Sequence, residues 1–255
     1  MSAVPFTDRE LMVIAAGREI EDGDTVFVGM RLPLVAFAFA KRTHAPRAVG
    51  VFENGLLRDR PAPETLMTMS DTPNIAGALW CTGTLEVMGL LQQGMIDVGF
   101  LGAAEIDRHG NLNTSYIGDW RAPTVRLPGS GGGADIASLA RRFVVIMPQE
   151  RHRFRERVHF ITSPGFGDGA GWRERVGLAG GGPSAVITTL GVYRFDPDTR
   201  EMYLASYHPG QSVDRVQAAT GWPLRTAPDV APTPTPTAEE LAIVRDSDPT
   251  GFWTR

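Results

Sequence analysis

A single cysteine, Cys81, occurs in the 255 residues, so the chain cannot close an internal disulfide. Beside Trp80 that thiol is expected to pack as a small apolar side chain. No apolar run approaches the ~20 residues of a membrane span. The start of the chain lacks a signal-peptide pattern, and a cytoplasmic protein is expected. Charge of one sign is also missing: 25 basic and 29 acidic residues leave a net −4. That is too mild for a nucleic-acid or anionic-membrane partner. The glycine run at 129–133 is followed by no Lys-Ser/Thr, which excludes a P-loop. It also lacks the spacing and later acidic residue of a dinucleotide fingerprint. No internal repeat is visible.

What remains is an ordinary globular composition, 42% hydrophobic and 21% charged, at a length one α/β domain uses. Thr7-Asp8-Arg9-Glu10 is a capping box ahead of a helix over 11–20. A strand at 25–28 and a helix opened by Pro33 and running to Arg42 precede a short apolar strand at 48–52. Strand–helix–strand is the unit of a parallel sheet with helical cover. Residues 61–84 have no period and read as an irregular excursion, a candidate flap. A helix over 85–93, a buried strand at 96–101, a helix over 134–142 and a strand at 143–147 follow. The alternating charges of 149–158 suggest a solvated face or a subunit contact. Ser184–Phe195 and Met202–Tyr207 flank Asp196-Pro197-Asp198-Thr199, an antiparallel hairpin. His208 behind it is expected to be structural. Ser212–Ala219 reads as a short helix. A proline-stiffened tether from Ala231 leads to a last, docking helix capped by Thr237. We therefore expect one domain over 1–255 whose final segment, 231–255, is tether plus docking helix.

Two stretches carry chemistry. Glu53 follows the apolar strand and opens the turn Glu53-Asn54-Gly55. It lies where open α/β sheets place ligands, at the carboxyl end of a strand. It reads either as a structural acceptor for its own turn or as a carboxylate nucleophile toward an activated acyl group. Pro128-Gly129-Ser130-Gly131-Gly132-Gly133 opens a helix and reads either as a plain loop or as a cradle of backbone N–H groups for an oxyanion. Glu105, Asp107 and His109 lie close in sequence, but Asp107-x-x-Gly110-Asn111 is turn chemistry and no metal is expected there.

Across nearly its whole length the chain resembles the β subunit of the class I coenzyme A transferases, most closely the glutaconate CoA-transferase type. The resemblance rests on Gly29-x-x-x-Pro33, Phe52-Glu53-Asn54-Gly55, Gly102-Ala-x-x-Ile106-Asp107-x-x-Gly110-Asn111-x-Asn113, Ser115-x-Ile-Gly-Asp119, Gly129-Ser-Gly-Gly132, Thr162-Ser-Pro-Gly165 and Met202-Tyr-Leu-Ala205. It implies an α/β fold: three-layer α/β/α with a mostly parallel open sheet plus an antiparallel hairpin. It implies that Glu53 is the nucleophile of a ping-pong transfer of CoA between carboxylic acids, through a glutamyl-CoA thioester. Gly131, Gly132 and Asn54 would border the acyl group and Gly29 and Pro33 the coenzyme, while Ser115, Tyr116 and Arg126 are candidate contacts for a second carboxylate on a glutaconate-like substrate. No permanently bound cofactor is expected; coenzyme A and acyl-CoA are substrates. A homologous α subunit would share the active site, in an α2β2 or higher assembly. Ring-opening CoA-thioester hydrolysis and decarboxylation of glutaconyl-type esters occur on the same fold, and Glu53 favours transfer over both. A subunit that only binds acyl-CoA would leave Glu53 and the glycine loop without a purpose.

Overall fold

The computed structural model describes residues 4–255. They cluster into two compact units, one holding the chain up to Phe100 together with Pro234–Arg255, the other Leu101–Thr233. In chain order the first carries α1 (Asp8–Gly17), β1 (Thr25–Phe27), α2 (Leu32–Arg42), β2 (Val49–Phe52), β3 (Leu56–Arg58), the single turn α3 (Thr72–Ile75), β4 (Trp80–Cys81), α4 (Thr84–Gln92) and β5 (Val98–Leu101). The second carries β6 (Glu105–Ile106), β7 (Leu112–Asn113), β8 (Tyr116–Asp119), β9 (Ala122–Arg126), α5 (Gly133–Leu139), β10 (Arg142–Ile146), the single turn α6 (Trp172–Arg175), β11 (Pro183–Ile187), β12 (Gly191–Phe195), β13 (Met202–Tyr207), α7 (Val213–Ala218) and β14 (Arg225–Pro232). The last helix, α8 (Ala238–Ser247), returns to the first unit. No helix among the described residues is long and apolar enough to cross a membrane.

In the first unit the strand order is β5-β1-β2-β3-β4. β1 pairs parallel with β2 and with β5, while β3 and β4 are added antiparallel. Every residue of β5 is buried and so are the last three of β2, which is why both strands read as unbroken apolar runs. α1 begins at the expected capping box: Thr7 Oγ1 accepts from Glu10 N at 3.1 Å and Glu10 Oε2 accepts from Thr7 N at 2.8 Å. Its residues from Glu10 to Gly17 are all buried, and the helix packs against α2 and α8.

α8 is docked by charge as well as by Leu241 and Val244. Arg18 holds Glu240 at 2.7 Å and Arg245 holds Glu10 at 2.7 Å. Burial would raise the Glu10 carboxyl, but the Arg245 guanidinium and the Thr7 N–H together pull it below its ordinary 4.5. Glu240 is lowered too: burial opposes the shift, and the Thr237 N–H and Arg18 outweigh it. A lowered folded value means stability that is complete above the ordinary carboxylate range and is lost as pH falls through the folded value. Both arginines are partly exposed, so the effect is about 1 kcal/mol. We therefore expect α8 amides to lose several-fold of their exchange protection between pH 6 and pH 3.5, and Glu10→Gln to blunt that change. Unchanged protection would show that the pairs contribute nothing to docking.

In the second unit β10 pairs parallel with β11, β11-β12-β13 run antiparallel, and β14 lies parallel to β13. Two small hairpins, β6–β7 and β8–β9, stand apart from these strands. The run expected as one strand over 184–195 is broken in two, because Thr188 Oγ1 accepts from Leu190 N at 3.1 Å and from Gly191 N at 3.0 Å and turns the chain. The charged segment 149–158 is exposed or half-buried except at Gln149 and Phe154, which are buried. Gln149 Oε1 accepts from Tyr193 OH at 2.6 Å and Thr188 Oγ1 at 2.8 Å. Burial pushes the Tyr193 phenol up. His208 is buried against Thr233 Oγ1 at 3.0 Å and Thr188 O at 2.8 Å, contacts of a structural kind. Ala231 and Pro232, at the start of the expected tether, belong to β14.

Candidate active site

The carboxyl ends of β5, β1 and β2 gather the first group of residues. Val28 N donates to Val51 O at 2.8 Å, which sets the exit of β1 beside the exit of β2. Gly29 leaves β1 so close to β5 that a Cβ there would lie 2.9 Å from Phe100 O. Pro33 is buried in the first turn of α2. Between them the exposed Arg31 has φ +70°, a left-handed conformation unusual for a residue with a side chain. Sequence reasoning passed over Arg31, and only the two flanking residues, Gly29 and Pro33, hint at a constrained loop.

Glu53 stands half-buried at the apex of the β2–β3 hairpin, whose register pairs Phe52 with Leu56. Gly55 N donates to Phe52 O at 2.9 Å, and Gly55 follows at φ +99°. That is a three-residue loop with a left-handed glycine closing it. A Cβ at Gly55 would lie 2.1 Å from Thr82 O, so no other residue fits. Asn54 Nδ2 donates to Met69 O at 2.9 Å and to Ser70 Oγ at 3.3 Å. Its side-chain donors therefore brace the turn. A cavity of ≈ 120 Å³ beside Phe52 is lined by Leu34, Phe37, Arg58, Glu64, Asn74 and Asp246 among others and does not include Glu53.

The excursion expected over 61–84 is irregular only in part, since it holds the single turn α3 and the strand β4 and runs into α4, and it is no loose flap. Arg58, only 1% exposed, donates to the carbonyls of Arg60, Pro61, Asn74 and Ala76 at 2.5–3.2 Å and reaches Pro73 O at 3.4 Å. Asn74, fully buried, donates to the same Met69 carbonyl that holds Asn54, at 2.6 Å. The Asp71 carboxylate accepts from Met67 N, Thr68 N and Thr68 Oγ1, bonds that hold it below the usual carboxylate range.

The second unit collects the other candidates around β7–β9. Tyr116 and Arg126 are register partners across the β8–β9 hairpin; Tyr116 tilts onto Phe160 at 5.1 Å and Arg126 is exposed. Ser115 Oγ bonds Thr162 Oγ1 at 2.7 Å. Leu127 N donates to Ser115 O at 3.0 Å and Gly129 N to Thr114 O at 2.8 Å, so the glycine loop starts from the strand end that carries Ser115. Gly131 is exposed and Gly132 is the buried N-cap of α5. Gly133 N is committed to Ser130 O at 2.8 Å. Behind this group the buried Glu105 accepts from Asn113 Nδ2 at 2.8 Å and pairs with His159 Nδ1 at 2.8 Å, and Asn113 Oδ1 accepts from Ser115 N at 3.0 Å. The expected polar turn is real. Asp107 accepts from His109 N and from both Asn111 N and Asn111 Nδ2. Burial nevertheless raises its carboxyl against those bonds. The bracing role of Glu105 was not legible, because its partner His159 lies far along the chain.

Comparison with known proteins gives a consistent result. The coenzyme A transferase family model matches residues 9–219. The chain is 39% identical over 94% of its length to the β-type subunit of the 3-oxoadipate CoA-transferase of Pseudomonas knackmussii, covering 92% of that protein. It is 36% identical over 86% of its length to the β-type subunit of the glutaconate CoA-transferase of Acidaminococcus fermentans, covering 84%. The crystal structure of the Acidaminococcus fermentans glutaconate CoA-transferase superimposes with a TM-score of 0.92 at 31% identity, over all of this chain and 99% of that one.

Proposed function

The chain belongs to the coenzyme A transferase family as a β-type subunit, and from that premise we propose that Glu53 is the residue that carries CoA between two carboxylic acids. The observation that carries the proposal is the hairpin. It presents one carboxylate at the exit of a parallel strand, on a loop where Gly55 admits no side chain and Asn54 is tied down.

The Glu53 carboxylate attacks the thioester carbonyl of the donor, and the C–S bond breaks to give an acyl–glutamyl anhydride and CoA thiolate. The thiolate attacks the glutamyl carbonyl and expels the donor as its carboxylate, leaving a glutamyl-CoA thioester. The acceptor carboxylate attacks that thioester, forming a new anhydride and thiolate. Thiolate attack on the acceptor's acyl carbon then releases the new acyl-CoA and restores Glu53. Each tetrahedral oxyanion needs donors, and one well-placed backbone N–H contributes about 3 kcal/mol. Gly131 and Gly132 are the proposed source, Gly29 and Pro33 border the coenzyme, and Ser115, Tyr116 and Arg126 meet the acyl chain. Both relatives are named for dicarboxylic acids, glutaconate and 3-oxoadipate, and an exposed Arg126 suits the free carboxylate of such an acid. The partner is an α subunit, and the assembled enzyme is expected to hold two or more copies of each.

Trapping tests this directly. The two-subunit enzyme mixed with acyl-CoA and then reduced with borohydride should show one modified peptide, bearing residue 53. Modification elsewhere, or free acid released without any labelled carboxylate, would overturn the proposal.

A further inference from the structure

The loop between β1 and α2 holds an arginine in a conformation that arginine avoids. Arg31 has φ +70° and ψ −122°, the geometry of the first central position of a type II′ turn, where glycine is the usual residue. The fourth residue of such a turn donates the N–H that closes it, and here that residue is Pro33, which has none. The turn therefore offers nothing to offset its own strain. The backbone is held in place from both sides, by the close approach of Gly29 to Phe100 O and by Leu34 N donating to Arg31 O at 3.0 Å. Arg200 is the other non-glycine residue with positive φ among the described residues, and its case differs. It closes the β12–β13 hairpin, its N–H donating to Asp196 O at 2.9 Å, and its guanidinium lies over the Phe166 ring. Arg31 is exposed, and its side chain makes no hydrogen bond, ion pair or ring contact among the described residues.

We propose that Arg31 is a specificity-determining residue whose guanidinium binds the far carboxylate of a dicarboxylic acyl group held at Glu53. The inference rests on the reading of Glu53 as the residue that becomes acylated. β1 and β2 pair in parallel through Phe27↔Val51, and two residues past that pair the chains reach Gly29 and Glu53. Neighbouring strands lie about 4.8 Å apart, so the loop bearing Arg31 starts one strand spacing from the nucleophile. Both residues belong to the first unit, whereas Arg126, the other candidate for that carboxylate, belongs to the second. A guanidinium meets a carboxylate with two parallel N–H bonds, which a neutral acyl chain cannot accept. The phosphates of coenzyme A are anions too, but a whole pantetheine arm separates them from the thioester. The far carboxylate of a short diacid stays within a few bonds of the reacting carbon. Strain kept where glycine would remove it is typical of residues whose side chains serve a site.

The assembled two-subunit enzyme is assayed with succinyl-, glutaryl- and adipyl-CoA and with the monoacid esters of equal carbon number, and binding of the same esters is followed by calorimetry. The unaltered enzyme should prefer the diacid esters in kcat/KM. Arg31→Met should shrink that preference by at least about tenfold, chiefly through a higher KM for the diacid esters, as loss of a charge-assisted hydrogen bond does. Arg31→Lys keeps the charge and should restore part of it. Arg31→Gly should shrink the preference as Arg31→Met does and, by relieving the strain, raise the Tm of the isolated chain. Arg31→Met should leave that Tm unaltered, whereas an arginine kept for structure alone would lower it when replaced. No diacid preference in the unaltered enzyme, an equal loss for diacid and monoacid esters in Arg31→Met, or a preference that falls only in Arg126→Met overturns the assignment and leaves the transferase reading intact. If the unaltered complex exchanges no CoA, the transferase reading fails. The affinity of glutaryl-CoA for that complex and for its Arg31→Met form then still decides the role of Arg31: equal affinities overturn it, and a loss of at least about tenfold supports it.

Discussion

Glu53→Ala should abolish CoA exchange, with a fall in kcat of about 10⁴-fold or more in the assembled enzyme, because a covalent nucleophile has no substitute in its own first step. Glu53→Gln should be equally inactive even though it is nearly isosteric, since a neutral amide neither attacks the thioester nor leaves as a stabilised carboxylate. Glu53→Asp keeps the charge and loses one methylene. The hairpin that holds residue 53 cannot advance to compensate, because Gly55 already sits against Thr82 O and Asn54 is fixed to Met69 O. A displacement of about 1 Å at the reacting atom costs on the order of 10²-fold. All three variants should fold and assemble, since the register of the hairpin is set by Phe52 and Leu56 rather than by residue 53. Measured exchange from assembled Glu53→Gln within tenfold of the parent would move the nucleophile to another residue.

Much of this arrangement was readable in the residues. Apolar strands ending in Gly29 and Glu53, capping boxes at Thr7 and Thr237, and the Asn54-Gly55 turn each announce themselves locally, and each is where it was expected. What was hidden depends on partners distant in sequence. β3 is not legible in Leu56-Leu57-Arg58, which ends in a charged residue of the kind that ordinarily marks a surface. Arg58 is buried nonetheless, its guanidinium spent on carbonyls up to 18 residues away. Arg173 repeats the pattern in the second unit. It donates to Ala137, Gly165 and Gly180 carbonyls at 2.8–2.9 Å, and burial lowers its guanidinium to about 10. Cys81 departs in the opposite direction. Its apolar character implied a packed thiol, whereas the edge position of β4 exposes it. Residue type alone does not say on which side of a boundary a side chain lies when the boundary is made by a loop or by the edge of a sheet.

Arg58→Met should destabilise the first unit strongly, by about 3 kcal/mol or more. The guanidinium disperses its charge over backbone carbonyls between residues 60 and 76. Removing the donor leaves the buried Asn74 carbonyl and several part-buried ones short of a bond, and the loss at a buried acceptor costs about 1–3 kcal/mol before relaxation. The apolar replacement recovers part of this by filling the space, which is why the net figure stays near the lower end. For a chain of this size the loss should lower Tm by about 6–12 °C. Arg58→Lys should recover little, because one ammonium on a flexible stem cannot span carbonyls arranged for a planar fork. The effect should also reach the active site by a traceable route. The segment that Arg58 organises presents the Met69 carbonyl, and that carbonyl holds both Asn54 and Asn74. A loosened segment frees the turn bearing Glu53, so kcat should fall more than KM rises. Asn74→Ala should show the same kinetic pattern at smaller thermal cost, since it removes the Met69 bond and leaves the Arg58 chelate in place. Equal Tm for Arg58→Met and the parent would mean that the buried guanidinium is not what orders residues 60–76.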